Sequence, residues 1–140
     1  MSDRKTRLSL VALIVMSIIF LCSSLRATAA QLRTNELVMF DQIGCPFCAA
    51  WEREVGKSYR KTDEGKQLPL RRVDLHAKRP SDLLGIRGVI YTPTFILMHC
   101  GHEIARITGY SGSDLFWEAL DVDLAKLKAS APCKATGAHA

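Results

Sequence analysis

No stretch of this 140-residue chain is apolar for long enough to make an ordinary membrane span. The longest, Leu8 to Leu21, is interrupted by Ser9 and Ser17. It falls short of the roughly 18–20 residues that a spanning helix needs. Arg4, Lys5 and Arg7 stand before it, and Ala27-Thr28-Ala29 comes after. A basic start, a short apolar stretch and an A-x-A site mark a secretory signal, with cleavage expected after Ala29. The alternative is an uncleaved inner-membrane anchor. Cys22 does not make a lipoprotein site, because bulky Leu21 stands where a small residue is needed.

A strong charge is missing too. The formal net charge is +5, but four basic residues against Asp3 within residues 1–29 hold three of those charges, leaving +2 for the remainder. So mild a balance gives no electrostatic footprint for nucleic acid, and no DNA-reading element is visible. Internal repeats and long linkers are absent. The expected organisation is a signal peptide or anchor (1–29), one domain (30–128) and a flexible, small and polar C-terminal tail (129–140). Cysteines are few: Cys45, Cys48, Cys100 and Cys133 remain beyond the signal. An even count in an exported chain permits two disulfides. The remaining chain is long enough to bury a core without depending on them.

What is present alternates strands with helices. Leu37-Val38-Met39-Phe40 is a continuous apolar run, as a strand covered on both faces would be. Cys45-Pro46-Phe47-Cys48 opens a helix, with Pro46 suited to its first position because the missing N–H has no partner there. Phe47, Trp51, Val55 and Tyr59 give that helix an apolar face. Residues 60–69 read as a polar surface loop, and Leu70 to Leu75 as a second strand. Pro80-Ser81-Asp82 starts a short helix through Leu83, Leu84 and Ile86, framed by Gly85 and Gly88. Thr94 to Met98 and Glu103 to Thr108 form two strands about a Cys100-Gly101 turn. Ser111 or Ser113 caps a last helix that buries Phe116, Trp117, Leu120, Leu124 and Leu127. The order β-α-β-α-β-β-α gives an α/β fold, a mixed four-stranded sheet with helices on both faces.

The chemistry centres on Cys45 and Cys48. A thiol attacks as its thiolate, and an ordinary cysteine has a pKa of about 8.5. Unpaired N–H groups and the dipole at a helix start favour the anion, most of all at Cys45. Cys45 would attack a partner disulfide. Cys48, one turn further in and less exposed, would resolve the mixed disulfide. Other readings of C-x-x-C remain. Ala49 stands where a c-type haem site needs His, which excludes that one. Zinc or copper needs further ligands, which His99, Cys100 and His102 could supply, but a strand before the pair and a proline-started helix after it are unlike a metal knuckle. A purely structural bridge is the third alternative.

These segments, with Tyr91-Thr92-Pro93-Thr94-Phe95 and Gly109-Tyr110, resemble the thioredoxin superfamily over residues 35–128. The finer resemblance is to small periplasmic thioredoxin-like proteins of bacterial sulfur-oxidation (Sox) gene clusters. It rests on Gly44 to Cys48, Pro69 to Asp74, Thr92 to Phe95, and Gly109-Tyr110 before Phe116-Trp117. The resemblance implies that Pro93 is cis and lies against the C-x-x-C pair, that Thr92 offers backbone hydrogen bonds to a substrate peptide, and that Gly109 keeps its loop close. Pro46 and Phe47 complete the implied substrate-binding set. It further implies no cofactor beyond the redox pair and no resident metal. The implied partners are a protein disulfide or thiol substrate and a membrane thiol-electron transporter as donor. Contact with the membrane would come only through an uncleaved N-terminal segment.

Two departures stand out. Gly44 replaces the family's Trp, and Met39 replaces a buried Asp that moves the resolving thiol's proton. Glu52, one turn past Cys48, is the nearest replacement, against water or a merely solvated Glu52. The shortened N-terminus brings the architecture closer to a minimal glutaredoxin-like core. In this topology the third strand and the last helix both run away from the active pair, which places Cys100 near Cys133. A structural disulfide between them is expected, with free thiols or pairing to another chain as alternatives. Arg71, Arg72, Lys57, Arg60 and Lys61 form either a solvated rim or a surface for an acidic partner.

The expected function is therefore an exported protein-disulfide reductase. The alternatives are a disulfide oxidase or isomerase, and a metal-binding or regulatory module on the same scaffold.

Overall fold

The computed structural model describes residues 34–133. The expected signal peptide and the last seven residues lie outside them. Among the described residues, no helix is long and apolar enough to cross a membrane.

Strand β1 (Asn35–Asp41) is the axis of the molecule. Its side chains alternate between the sheet's faces, and both faces are covered, so Leu37 to Phe40 are all buried. It pairs in parallel with β2 (Leu70–Asp74), placing Met39 opposite Arg72. On its other edge it pairs antiparallel with β3 (Thr94–His99), with Phe40 opposite Thr94 and Asn35 opposite His99. β3 turns at Cys100-Gly101 into β4 (His102–Thr108), giving the order β2-β1-β3-β4. The mixed four-stranded sheet is the one expected.

Helix α1 opens over Pro46–Trp51, passes through a π-helical turn at Glu52–Gly56 and closes on Lys57–Tyr59. The turn has a reason in the sequence. Trp51, Val55 and Tyr59 recur every four residues, and at 3.6 residues per turn each would drift by about 40° from the last. A wider π turn absorbs that drift. All three side chains are consequently buried against the sheet.

Residues 60–69 are not the loop expected. Thr62 Oγ1 accepts the Gly65 N–H at 3.0 Å and caps a short helix, α2 (Asp63–Gln67). Leu68 behind it is fully buried, and the Tyr59 hydroxyl donates to its carbonyl at 2.9 Å.

The second expected helix shrinks to a single 3₁₀ turn, Ser81–Leu83. Only Leu83, Ile86 and Val89 of that segment turn inward, onto Val38, Phe40, Val73, Ile96 and Met98. Leu84 is exposed, and Gly88 takes a positive φ of 68°. The positive φ at Gly88 breaks any helical path before Val89.

The last helix, α3 (Ser113–Ala129), buries Phe116, Leu120 and Leu124, with Trp117 and Leu127 half-covered. Its cap is not a serine. Gly112, at φ 113°, supplies the turn, and Ser113 Oγ bonds to Asp114 instead. Trp51, Phe95 and Phe116 meet between α1, the sheet and α3, with ring centres 5.0 to 5.7 Å apart. That cluster fixes the two helices against the sheet.

Candidate active site

The site forms where β1 ends. After Asp41 the chain needs a sharp turn, and Gly44 makes it with a φ of 77°. Cys45 then occupies the N-cap of α1 in an extended conformation, with Pro46 as the first helical residue. The Cys48 N–H donates to Cys45 Sγ at 3.0 Å. A sulfur here meets one of the helix's unpaired N–H groups directly, which stabilises negative charge on it. Cys45 and Cys48 are joined as a disulfide. Their exposures are 7% and 5%, so Cys48 is the less exposed partner by a small margin.

The β3 entry closes over the pair. Cys45 Sγ lies 3.4 Å from the Thr92 carbonyl oxygen, and the Thr92–Pro93 peptide bond is cis. The Gly109 N–H donates to the Pro93 carbonyl at 2.7 Å, and Thr94 Oγ1 donates to the Tyr91 carbonyl at 2.7 Å. These bonds tie the 91–94 segment to the end of β4. Gly109 reaches its place with a φ of 83°, a conformation that suits glycine. Pro46, Thr92, Pro93 and Gly109 thus lie around the cysteines. Phe47 points outward, 58% exposed, as do Ile43 and Tyr91 at 97% and 63%.

Charged residues line the other side. A cleft of about 410 Å³ is bounded by Asp41, Cys45, Cys48, Glu52 and Arg72. Arg72 Nη1 reaches Glu52 Oε2 at 2.6 Å, and its Nε donates to Asp41 Oδ2 at 2.7 Å. Met39, opposite Arg72, is fully buried and apolar. In the sequence Arg72 stands out only as a rim charge, and Asp41 is not singled out. Their meeting depends on the β1–β2 register, which no local motif encodes.

Two of the basic residues singled out in the sequence are paired with carboxylates. Arg72 is held by Glu52 and Asp41, and Arg71 bridges Glu36 and Asp82. Arg71 in turn holds Asp82 below the usual carboxylate range, chiefly through its hydrogen bond. Those two arginines are neutralised rather than free to attract an acidic partner. On the far side of α1, the Tyr110 hydroxyl donates to Glu54 Oε2 at 2.6 Å.

The remaining residues singled out in the sequence lie at the opposite pole. β3 runs from Thr94, beside the site, to His99, about 17 Å along a strand. Cys100 there is bonded to Cys133, whose Cα is 5.4 Å away. His99, Cys100 and His102 are therefore too distant to join Cys45 and Cys48 around one metal ion.

A family model for the thioredoxin-like domain matches residues 24–122. The reduced form of the periplasmic thioredoxin SoxS from Paracoccus pantotrophus is 39% identical. It aligns over 66% of this chain and 98% of its own, with a TM-score of 0.63. The thioredoxin Mala s 13 from Malassezia sympodialis is 21% identical over 64% of this chain and 76% of its own, with a TM-score of 0.46. No curated protein sequence matches.

Proposed function

The chain belongs to the thioredoxin-like family, and from that premise we propose that it is a periplasmic protein-disulfide reductase. Its task on this reading is to keep a periplasmic protein thiol reduced, such as that of a sulfur-oxidation carrier protein. The observation that carries the proposal is the placement of Cys45. Its sulfur sits on the Cys48 N–H at the start of α1 and beside the Thr92 carbonyl, bonded to Cys48. Support for the compartment comes from the similarity to periplasmic SoxS along nearly its whole length.

The reaction runs from the reduced pair. Cys45 thiolate attacks one sulfur of the substrate disulfide, and the other substrate sulfur leaves as a thiolate. The mixed disulfide is then attacked at Cys45 Sγ by the Cys48 thiolate, which releases the second substrate sulfur. The substrate has gained two electrons, and Cys45–Cys48 has lost them. A membrane thiol-electron transporter is the proposed source of the two electrons that restore the pair. Exposed Ile43, Phe47 and Tyr91 offer an apolar rim for the substrate protein. Thr92 offers backbone groups to an extended segment of it.

The test is the reduction potential of Cys45–Cys48 against glutathione and dithiothreitol, with Cys45→Ser as control. A value near about −270 mV, abolished in the control, is expected of a reductase. A value near about −120 mV would mark a disulfide oxidant and overturn the reductase reading. No reversible couple would overturn thiol exchange altogether.

A further inference from the structure

The pole opposite the active pair carries a second sulfur site. His99, Cys100 and Cys133 bring one nitrogen and two sulfur atoms within 4.8 Å of one another. His99 ends β3, Cys100 begins the following turn with a φ of 52°, and Cys133 arrives four residues after α3 ends. Two segments distant in sequence, residues 99–100 and Cys133, thus converge on one point.

The histidine is oriented as a ligand would be. Its Nε2 lies 2.9 Å from the Ala131 carbonyl oxygen, which can only accept a hydrogen bond. In the neutral imidazole that contact calls for the ring proton on Nε2, which makes Nδ1 the unprotonated nitrogen. Nδ1 is the nitrogen that faces Cys133 Sγ, at 4.0 Å. Metal-bound histidines characteristically donate their other ring N–H to a backbone carbonyl in this way. Nδ1 also lies 2.6 Å from Asn35 Oδ1, and the Nε2-protonated tautomer requires the Asn35 amide turned so that its NH2 donates to Nδ1. Asn35 must rotate aside for Nδ1 to bind a metal.

We infer that reduction of Cys100–Cys133 converts this pole into a binding site for a borderline-soft d¹⁰ cation, Zn²⁺, held by both thiolates and His99 Nδ1. Thiolate and imidazole ligands suit that ion, at about 2.3 Å for sulfur and about 2.0–2.1 Å for nitrogen. Around one tetrahedral ion, neighbouring ligand atoms stand roughly 3.5–3.8 Å apart. The His99–Cys133 pair is close to that spacing already. The two sulfurs reach it once their bond is opened, and water supplies the fourth position.

The balance is simple. A dithiol reductant gives two electrons and two protons to the bridge, forming two thiols, and becomes a disulfide. Zn²⁺ then displaces the two thiol protons. Reoxidation by a disulfide oxidant closes the bridge and expels the ion. The site is therefore gated by redox state, and it operates about 17 Å along β3 from Cys45 and Cys48.

The full chain carrying Cys22→Ser, Cys45→Ser and Cys48→Ser isolates the pole from every other cysteine. Its behaviour is independent of the thiol-exchange reading, so the two fail separately. After anaerobic reduction by a phosphine, Co²⁺ and then Zn²⁺ are titrated in. One equivalent of Co²⁺ with a thiolate charge-transfer band, displaced by one equivalent of Zn²⁺, is expected. The oxidised protein should bind neither ion. His99→Ala should weaken Zn²⁺ binding by about tenfold or more while the disulfide still forms on oxidation. Absence of the charge-transfer band, binding that is the same in both redox states, or binding indifferent to His99→Ala would each overturn the inference.

Discussion

Arg72 on β2 ion-pairs with Glu52 on α1 at 2.6 Å, beside the cleft that holds Cys48. The pair puts a carboxylate one helical turn past Cys48 while the strand position at Met39 is apolar and sealed. Glu52 is therefore the carboxylate expected to move the proton of the resolving thiol, against water or a merely solvated Glu52. Glu52→Gln is expected to slow disulfide reduction by about tenfold or more, the lower range for losing an acid–base group. Stability should change by less than about 1 kcal/mol, because a partly exposed ion pair contributes little. The distinguishing readout is the pH profile of Cys48 alkylation in a Cys45→Ser background. A profile that Glu52→Gln leaves unmoved would return Glu52 to the role of a surface residue.

The path from sequence to this site was uneven, for physical reasons. Cys45 and Pro46 were readable because they open a helix just after a strand, while the site roles of Thr92, Pro93 and Gly109 came only from the family resemblance. β1 was readable because burial on both faces leaves a run of apolar residues. The charged wall was not, since Arg72 meets Asp41 and Glu52 only through the parallel register that sets it opposite Met39. Helix α2 was missed because five polar residues carry no periodicity. Its signal was the cap, Thr62 followed by Asp63 and Glu64, whose negative charges suit a helix start. The cover over Val38 and Phe40 was misread as a helix because Leu83 and Ile86 have helical spacing. They are held instead by a 3₁₀ turn and an irregular segment.

Gly65 should tolerate no side chain. A Cβ built there would stand against the Tyr59 backbone carbonyl, well inside contact distance. Backbone cannot give way as a flexible side chain can, so Gly65→Ala is expected to cost about 2–3 kcal/mol in urea unfolding. Gly85→Ala is the control. Nothing lies within 4 Å of its new methyl group, and its effect should stay within about 0.5 kcal/mol. Equal effects of the two substitutions would contradict the packing of α2 on Tyr59.

Opening the Cys100–Cys133 bridge should act on stability and leave catalysis alone. The bridge joins residues 33 apart, for which the chain-entropy model gives about 3–4 kcal/mol. Cys100→Ser with Cys133→Ser should therefore lower the unfolding midpoint clearly. The Cys45–Cys48 potential should remain within experimental error, since the bridge lies at the other end of β3. A large shift in that potential would mean that the two poles are coupled.

Alkaline unfolding should report two tyrosines. Burial, reinforced by Glu64, raises the Tyr59 phenol well above its ordinary value of 10.0. Tyr110 is raised likewise, by burial first and then by its hydrogen bond to Glu54. Below pH 10 both tyrosines are protonated in the folded and unfolded states, so they give no slope. Above it the unfolded chain loses these protons while the folded chain keeps them. Stability must then fall as pH rises, by up to about 1.4 kcal/mol per pH unit for each tyrosine. Tyr59→Phe with Tyr110→Phe removes both ionisations. The double variant should be less stable at pH 7, having lost the bonds to the Leu68 carbonyl and to Glu54. It should also lose stability less steeply above pH 10. Urea unfolding at a series of alkaline pH values decides it, and parallel curves for the two proteins would show that neither phenol is held protonated by the fold.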